Sequence, residues 1–81
     1  MSYYTYILKS EINNRRYFGS CEDLELRLKL HNGGKVKSSK PHIPYKILYF
    51  EIHATRSEAF RREHFFKSVE GYKYLKEKGI I

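Results

Sequence analysis

The chain has 81 residues, enough for one hydrophobic core but not for two. It carries 16 Lys and Arg against 9 Asp and Glu, which gives a net charge of +7. This charge predicts a polyanionic partner, and it favours nucleic acid over an anionic membrane surface. The single cysteine, Cys21, excludes an internal disulfide and fits a reducing compartment. No apolar run approaches the roughly 18 residues of a membrane span. The N-terminal residues do not resemble a signal peptide, so we expect a cytoplasmic protein without membrane contact.

The N-terminal part predicts a β-hairpin. Tyr3–Lys9 is aromatic and β-branched, Asn13-Asn14 signals a turn, and Arg15–Gly19 continues as a second strand. Both alternating faces of the first strand carry bulky side chains, which indicates a strand that is covered on both sides or central in its sheet.

A helix and a third strand follow the hairpin. Asp23 is the expected N-cap of a helix that runs to about His31 and stops at Asn32-Gly33-Gly34. Lys35–Pro44 is a basic loop, and Tyr45–Ile52 is the predicted third strand. From Leu26 to Phe50 the chain has no acidic residue, which indicates either a solvated basic face or contact with nucleic acid, and the length of the block favours contact.

The C-terminal part predicts two helices. Thr55 opens a capping box, the second helix runs to about Ser68, Gly71 breaks it, and Tyr72–Lys78 forms a short last helix. The order ββαβαα predicts an α+β, sandwich-like fold in which a three-stranded, mainly antiparallel sheet is flanked by helices. We expect one domain over residues 1–81.

Polar side chains interrupt the apolar face of the first helix. Arg27 and His31 lie on one stripe between two rows of leucines when the helix is drawn at 100° per residue. A guanidinium in such a place needs an anionic partner. Each residue alone suggests an internal salt bridge for Arg27 and a hydrogen-bonded core histidine for His31. The pair together favours a cleft that faces a phosphate.

The second helix has a similar interruption. Glu63 falls inside an apolar run that contains Ala59, Phe60 and Phe66. Its partner is either Lys67, one helical turn later, or a metal ion, and the spacing alone favours Lys67.

These residue types suit phosphodiester cleavage. Arg27 can bind two phosphate oxygens with its planar fork, and Glu63 can hold a magnesium ion whose other ligands are mostly water. A tyrosine hydroxyl, from Tyr6 or Tyr17 in the paired strands, or the His31 ring could orient or deprotonate the attacking water. Strand tyrosines are more often core residues. The scarcity of clustered carboxylates suggests one metal ion rather than two.

The motifs together resemble those of the GIY-YIG nuclease family. Tyr4-Thr5-Tyr6 stands at the first motif and Tyr17-Phe18-Gly19 at the second. Arg27 and His31 match the family's Arg-x-x-x-His, and Arg61-Arg62-Glu63 matches the segment with its metal-binding glutamate. The resemblance is to the small stand-alone bacterial members and covers nearly the whole chain. At two positions the sequence departs from the family's pattern, because Phe18 replaces isoleucine and Ser38 replaces a frequent tyrosine.

The resemblance implies a DNA endonuclease that uses a single Mg²⁺ or Mn²⁺ ion. Tyr6 or Tyr17, with Tyr6 preferred, would be the general base or position the water. Arg27 and His31 would contact the scissile phosphate, and Glu63 would hold the metal.

Contacts with DNA are expected along its backbone, with little base readout. Because small members lack appended DNA-binding domains, four basic residues are expected to make them: Lys35, Lys37, Lys40 and Arg61. The expected function is the cleavage of branched, nicked or single-stranded DNA in repair or processing. The alternatives are a non-catalytic nucleic-acid-binding module and an adaptor for a repair protein.

Overall fold

The computed structural model describes residues 2–81; Met1, the first residue of the predicted domain, lies outside the described residues. The elements follow the predicted order ββαβαα, and their ends agree with the prediction to within two residues, the last helix excepted. They are β1 (Tyr3–Ser10), β2 (Arg16–Cys21), α1 (Leu24–Asn32), a 3₁₀ turn (Lys40–His42), β3 (Tyr45–His53), α2 (Arg56–Phe66) and α3 (Val69–Glu77).

The three strands form one antiparallel sheet in the order β2-β1-β3. Tyr6 of β1 lies opposite Gly19 of β2 on one side and opposite Phe50 of β3 on the other. β1 is therefore the central strand, and its residues from Thr5 to Leu8 are buried. The prediction from its two bulky faces is confirmed.

Two apolar clusters lie on opposite faces of this sheet. On the α1 face, Tyr6 and Leu8 pack with Tyr45 and with partly buried residues of α1 such as Leu28. On the other face, Ile7 packs with residues of α2 and α3. The faces separate in this way because successive residues of a strand point to opposite sides.

Side-chain caps fix where α1 and α2 begin. The Asp23 carboxylate accepts from the Leu26 amide at 3.0 Å, which satisfies one of the unpaired N–H groups of the first turn. Thr55 and Glu58 form the predicted capping box, each side chain accepting the other's backbone N–H. None of the helices within residues 2–81 has the length and apolarity to cross a membrane.

The prediction that Gly71 breaks a helix is wrong. α3 begins at Val69, with Ser68 as its N-cap, and Gly71 lies in its first turn. A Cβ atom at Gly71 would overlap the Phe65 carbonyl at the end of α2. Glycine is needed here because the two helices approach closely, and it does not end a helix.

The expected place of Phe60 on the apolar face of α2 is also wrong. Phe60 is 53% exposed, whereas Ala59 and Phe66 are buried. Thr5 Oγ1 donates to the Ala59 carbonyl at 2.7 Å, and this contact centres the packing of α2 on Ala59. Phe60, 100° further round the helix, is thereby turned outward against His64.

Candidate active site

The Tyr6 hydroxyl is the centre of the candidate site. Tyr6 is 1% exposed, and its ring extends from the central strand over Gly19 of β2. A Cβ atom at Gly19 would collide with this hydroxyl. The glycine of the second motif therefore provides the space in which the hydroxyl lies.

Helix α1 brings Arg27 and His31 to the same hydroxyl. Arg27 Nε donates to Tyr6 Oη at 3.3 Å, and His31 Nε2 lies 3.1 Å from Tyr6 Oη. The stripe that interrupts the leucine rows is thus the stripe that faces the sheet. The structure brings these three predicted residues into direct contact.

Arg27 has no carboxylate partner among residues 2–81, so the internal salt bridge considered above is not formed. Its side chain is half-buried and uses Nε for the bond to Tyr6. This bond raises the pKa of Arg27, which stays charged. The two terminal nitrogens have no hydrogen-bond acceptor in the described part of the chain and retain the fork that matches a phosphate.

His31 is fully buried, at 0% exposure. Both ring nitrogens have partners, because Nδ1 lies 2.7 Å from Ser39 Oγ and Nε2 contacts Tyr6. Burial, and next the positive charge of Arg27, lower the pKa of His31 to about 4. His31 is therefore neutral near pH 7, and it is a hydrogen-bonded core histidine that also contacts the candidate catalytic tyrosine.

Burial also keeps Tyr6 protonated. Desolvation raises the pKa of Tyr6 to about 12, and the hydrogen bond and charge of Arg27 oppose this rise without cancelling it. At neutral pH the resting site contains a phenol and a neutral imidazole beside one guanidinium cation.

Tyr17 forms a wall of the site. Its ring stacks on Tyr6, with centroids 6.5 Å apart, and meets the edge of His31 at 4.6 Å. Tyr17 is half-buried, and its hydroxyl has no hydrogen-bond partner among residues 2–81. Of the two tyrosines, Tyr6 is the one whose hydroxyl contacts Arg27 and His31, and Tyr17 is the more exposed.

Glu63 lies beside the edge strand β2. Its Oε1 accepts from Ser20 Oγ at 2.9 Å and its Oε2 pairs with Lys67 Nζ at 2.8 Å. Ser20 directly follows Gly19, and neighbouring residues of a strand face opposite sides. Glu63 is thus on the α2 side of β2 and the Tyr6 hydroxyl on the α1 side, with no direct contact between them.

The donor set around Glu63 fits only a largely hydrated ion. No group of three or more His, Cys, Asp or Glu side chains within residues 2–81 could enclose a metal. Mg²⁺ is commonly bound through one or two carboxylates with waters completing its shell. The Glu63 side chain is 13% exposed and Lys67 is 48% exposed. Oε2 of Glu63 would be available to an ion only if the Lys67 side chain left this pair.

The predicted DNA-contacting residues form two groups. Lys35, Lys37 and Lys40 are exposed on the loop between α1 and β3. That loop is anchored at its end, because Asn32 accepts from the Tyr45 amide at 2.6 Å and donates to the Tyr45 carbonyl at 3.0 Å.

Arg61 is exposed on α2, next to His53 at the opposite end of β3. Nine strand residues separate the two groups, which corresponds to about 25 Å. The structure does not gather Arg61 with the loop lysines.

Sequence reasoning missed two serines of the site. Ser39, 1% exposed, contacts His31 from the basic loop, and Ser20 holds one oxygen of Glu63. Ser20 follows the second motif directly, so its strand position was a usable signal. Ser39 lies in an irregular loop without periodicity, and no signal in the sequence singles it out.

The chain is similar to known proteins over most of its length. The model of the GIY-YIG catalytic domain matches residues 2–75. A UPF0213 protein of Bacillus licheniformis is 35% identical over 81 residues, covering 95% of this chain and 82% of its own. A UPF0213 protein of Staphylococcus haemolyticus is 36% identical over 75 residues, covering 91% of this chain and 90% of its own.

A solved structure also has this fold. The solution NMR structure of a UPF0213 protein from Bacillus halodurans matches with a TM-score of 0.55 and 28% identity, covering 95% of this chain and 84% of that one. The chain belongs to the GIY-YIG family. The family is one of nucleases, and its match implies DNA as the substrate.

Proposed function

We propose that this protein is a divalent-metal-dependent endonuclease that hydrolyses phosphodiester bonds in DNA. The observation that carries the proposal is the state of Arg27. Its Nε holds the Tyr6 hydroxyl, while its terminal nitrogens have no carboxylate to neutralise them within residues 2–81. A half-buried cation of this kind favours an anionic ligand from outside.

A phosphate bound to the Arg27 fork would lie next to the Tyr6 hydroxyl. Tyr6 would then orient the attacking water and accept its proton, while Arg27 offsets the charge that develops on the phosphate oxygens. Tyr17 would limit the space beside the reacting group through its stack on Tyr6. His31 would act through Tyr6 rather than bind the phosphate, because both of its ring nitrogens already have hydrogen-bond partners.

Glu63 would hold a single Mg²⁺ or Mn²⁺ ion, with Ser20 orienting the carboxylate. Because Glu63 and the Tyr6 hydroxyl lie on opposite sides of β2, the ion bound there would neutralise charge on a DNA backbone that passes round the edge of this strand. Lys67 would have to release Oε2 of Glu63 first.

The loop lysines Lys35, Lys37 and Lys40, together with Arg61, would contact the DNA backbone. Such contacts position a duplex without reading its bases and weaken with salt. This suits an enzyme that recognises branched, nicked or single-stranded DNA in repair or processing. The reducing location expected from the single cysteine would be the cytoplasm.

The decisive test is cleavage of labelled plasmid, branched and single-stranded DNA by purified protein, with Mg²⁺ or Mn²⁺ and with chelator. We expect cleavage that stops with chelator and in Glu63→Ala. Glu70→Ala, a change at an exposed acid of α3, is the matched control and should cleave normally. Equal cleavage by Glu63→Ala would identify a contaminating nuclease and end the proposal.

One observation favours a second candidate, a non-catalytic nucleic-acid-binding module or adaptor. The ion pair with Lys67 neutralises Glu63 without a metal. A protein of this class would retard DNA in a gel but leave every substrate uncut at any metal concentration, with Glu63→Ala binding as well as the unchanged protein.

A further inference from the structure

We propose that Ser39 is a positioning residue that holds His31 as the tautomer with its proton on Nδ1, so that the Tyr6 hydroxyl donates to Nε2. The proposal rests on the proposed nuclease function for its catalytic consequence. In the structure, it concerns the direction in which the protons of one hydrogen-bond chain point. The chain runs from Arg27 through Tyr6, His31 and Ser39 to the Val36 carbonyl.

The two ends of the chain have fixed roles. Arg27 Nε can only donate, so Tyr6 Oη accepts at that end. The Val36 carbonyl can only accept, and Ser39 Oγ lies 3.2 Å from it. The interior groups are Tyr6 Oη, the two ring nitrogens of His31, and Ser39 Oγ, joined at 3.1 and 2.7 Å.

Only one direction gives every proton an acceptor. When Ser39 donates to Val36, it accepts from His31 Nδ1–H, and Nε2 is then free to accept from the Tyr6 hydroxyl. In the reverse direction Ser39 donates to Nδ1 and Nε2–H donates to Tyr6 Oη. Tyr6, 1% exposed, would then have a buried hydroxyl proton without an acceptor, which costs free energy.

The charges of the groups agree with this direction. Burial, followed by the charge of Arg27, lowers the pKa of His31 to about 4, so the ring carries one proton near pH 7. Burial raises the pKa of Tyr6 to about 12, so Tyr6 has a proton to donate. A phosphate on Arg27 would offset the charge that depresses the basicity of His31 and make proton transfer to Nε2 easier.

The direction matters for the hydrolysis step. As the water oxygen forms its bond to phosphorus, a water proton passes to Tyr6 Oη and the phenol proton passes to His31 Nε2. The bond between phosphorus and the leaving oxygen breaks, and that oxygen takes a proton from solvent. His31 becomes an imidazolium whose Nδ1–H still donates to Ser39. Tyr6 never has to exist as a free phenolate.

The test is the tautomer of His31, measured by long-range ¹H–¹⁵N NMR on the full chain near pH 7. We expect Nδ1 protonated and Nε2 unprotonated, with the signal assigned through its loss in His31→Gln. Ser39→Ala should shift the proton to Nε2, whereas Ser38→Ala, a change at the exposed neighbouring serine, should leave the ring unchanged. A wild-type ring with its proton on Nε2, or with both nitrogens protonated, overturns the proposal without any variant.

Kinetics then test the catalytic consequence. Ser39→Ala should lower kcat by about 10- to 100-fold with KM unchanged, by analogy with the loss of groups that orient metal-bound histidines. Ser39→Thr, which keeps the hydroxyl, should restore the Nδ1–H tautomer and most of kcat. Unchanged tautomer and kcat in Ser39→Ala overturn the proposal. If the wild-type protein has the Nδ1–H tautomer of His31 but cuts no DNA, the nuclease function is refuted. The inference that the Tyr6 hydroxyl donates to Nε2 is then still supported.

Discussion

At the scale of single residues, one hydroxyl organises the charges of the site. Tyr6 Oη accepts from Arg27 and contacts His31, while burial keeps both Tyr6 and His31 in their neutral forms. Arg27 is thus the one charged member of the trio. An anion that binds here meets an uncompensated cation together with a phenol that is already connected to a proton acceptor.

The buried histidine makes the fold sensitive to acid. Burial and Arg27 lower the pKa of His31 to about 4, below the ordinary value of 6.5. The unfolded chain therefore takes up a proton at a higher pH than the folded one. Stability conferred by neutral His31 is fully present above about pH 6.5 and is lost as pH falls towards about 4, by roughly 3 kcal/mol in total.

Urea unfolding at several pH values between about 7 and 4 measures this loss. His31→Gln should start from a lower stability but lose less of it over the same range, since the titrating group is gone. His64→Gln, at an exposed histidine, should keep the steep wild-type profile. Parallel profiles for His31→Gln and the unchanged protein would show that another group causes the acid loss.

At the scale of elements, the pairing of β1 with β2 sets the position of the hydroxyl. Tyr6 lies opposite Gly19, and a Cβ atom at Gly19 would collide with Tyr6 Oη. We expect Gly19→Ala to push the phenol away from Arg27 and His31. The change should destabilise the fold by about 1–3 kcal/mol through overpacking and reduce cleavage to background. Denaturant unfolding and cleavage per folded molecule give the two values.

Gly71→Ala is the matched control for that experiment. It also forces a Cβ into a close contact, with the Phe65 carbonyl, but far from the tyrosine. It should lower stability by more than Gly19→Ala does, because its Cβ meets a backbone carbonyl and not the end of a side chain, while the folded fraction cleaves normally. If both variants lost the same activity per folded molecule, the effect of Gly19→Ala would be one of general destabilisation.

The residue that follows α2, its C-cap Lys67, competes with the expected metal. Lys67 holds Oε2 of Glu63 at 2.8 Å, one helical turn away. We expect Lys67→Met to strengthen Mn²⁺ binding and to lower the Mg²⁺ concentration for half-maximal cleavage by about two- to fivefold, the equivalent of an ion pair worth up to about 1 kcal/mol. Calorimetry with Mn²⁺ reports binding independently of activity.

Lys73→Met, at an exposed lysine of α3, removes the same charge without touching Glu63 and should leave metal binding unchanged. The thermal stability of Lys67→Met should change little, because an exposed lysine contributes weakly to such a pair. Weaker or unaltered Mn²⁺ binding in Lys67→Met would show that Glu63 is not the metal ligand.

Local chemistry explains which elements were predictable. The structure confirms the N-caps Asp23 and Thr55 and the burial of β1 on both faces. Each of these features depends on only a few neighbouring residues. The prediction that Gly71 breaks a helix was wrong because glycine is common both at helix ends and where two helices approach closely. Only the packing of α3 on α2 distinguishes the two cases.

The site was predictable only in part, because local patterns can be read from the sequence and the packing between elements cannot. The stripe of Arg27 and His31 follows from helical periodicity. The contact of Ser39 with His31 depends on how an irregular loop folds back, and the placement of Glu63 on the far side of β2 depends on which face α2 covers. Both are properties of the assembled sheet and helices, and neither leaves a periodic signal.

At the scale of the whole molecule, the basic residues expected to contact DNA lie at two ends. Lys35, Lys37 and Lys40 are on the loop that leads into β3, while Arg61 lies near the strand's last residue, about 25 Å away. A duplex rises 3.4 Å per base pair, so about eight base pairs are needed to reach both ends.

This separation predicts that the salt dependence of binding varies with DNA length. Each lost phosphate contact should make the slope of log K against log salt less negative by about 0.9 on duplex DNA. Removing the three loop lysines should therefore change the slope by up to about 2.7 on any duplex. Arg61→Ala should change it by about 0.9 on a duplex of about 20 base pairs, but not on one of about six. Fluorescence anisotropy across a salt series measures both slopes. An equal effect of Arg61→Ala on the short duplex would place Arg61 and the loop lysines on one continuous surface, against the geometry of β3.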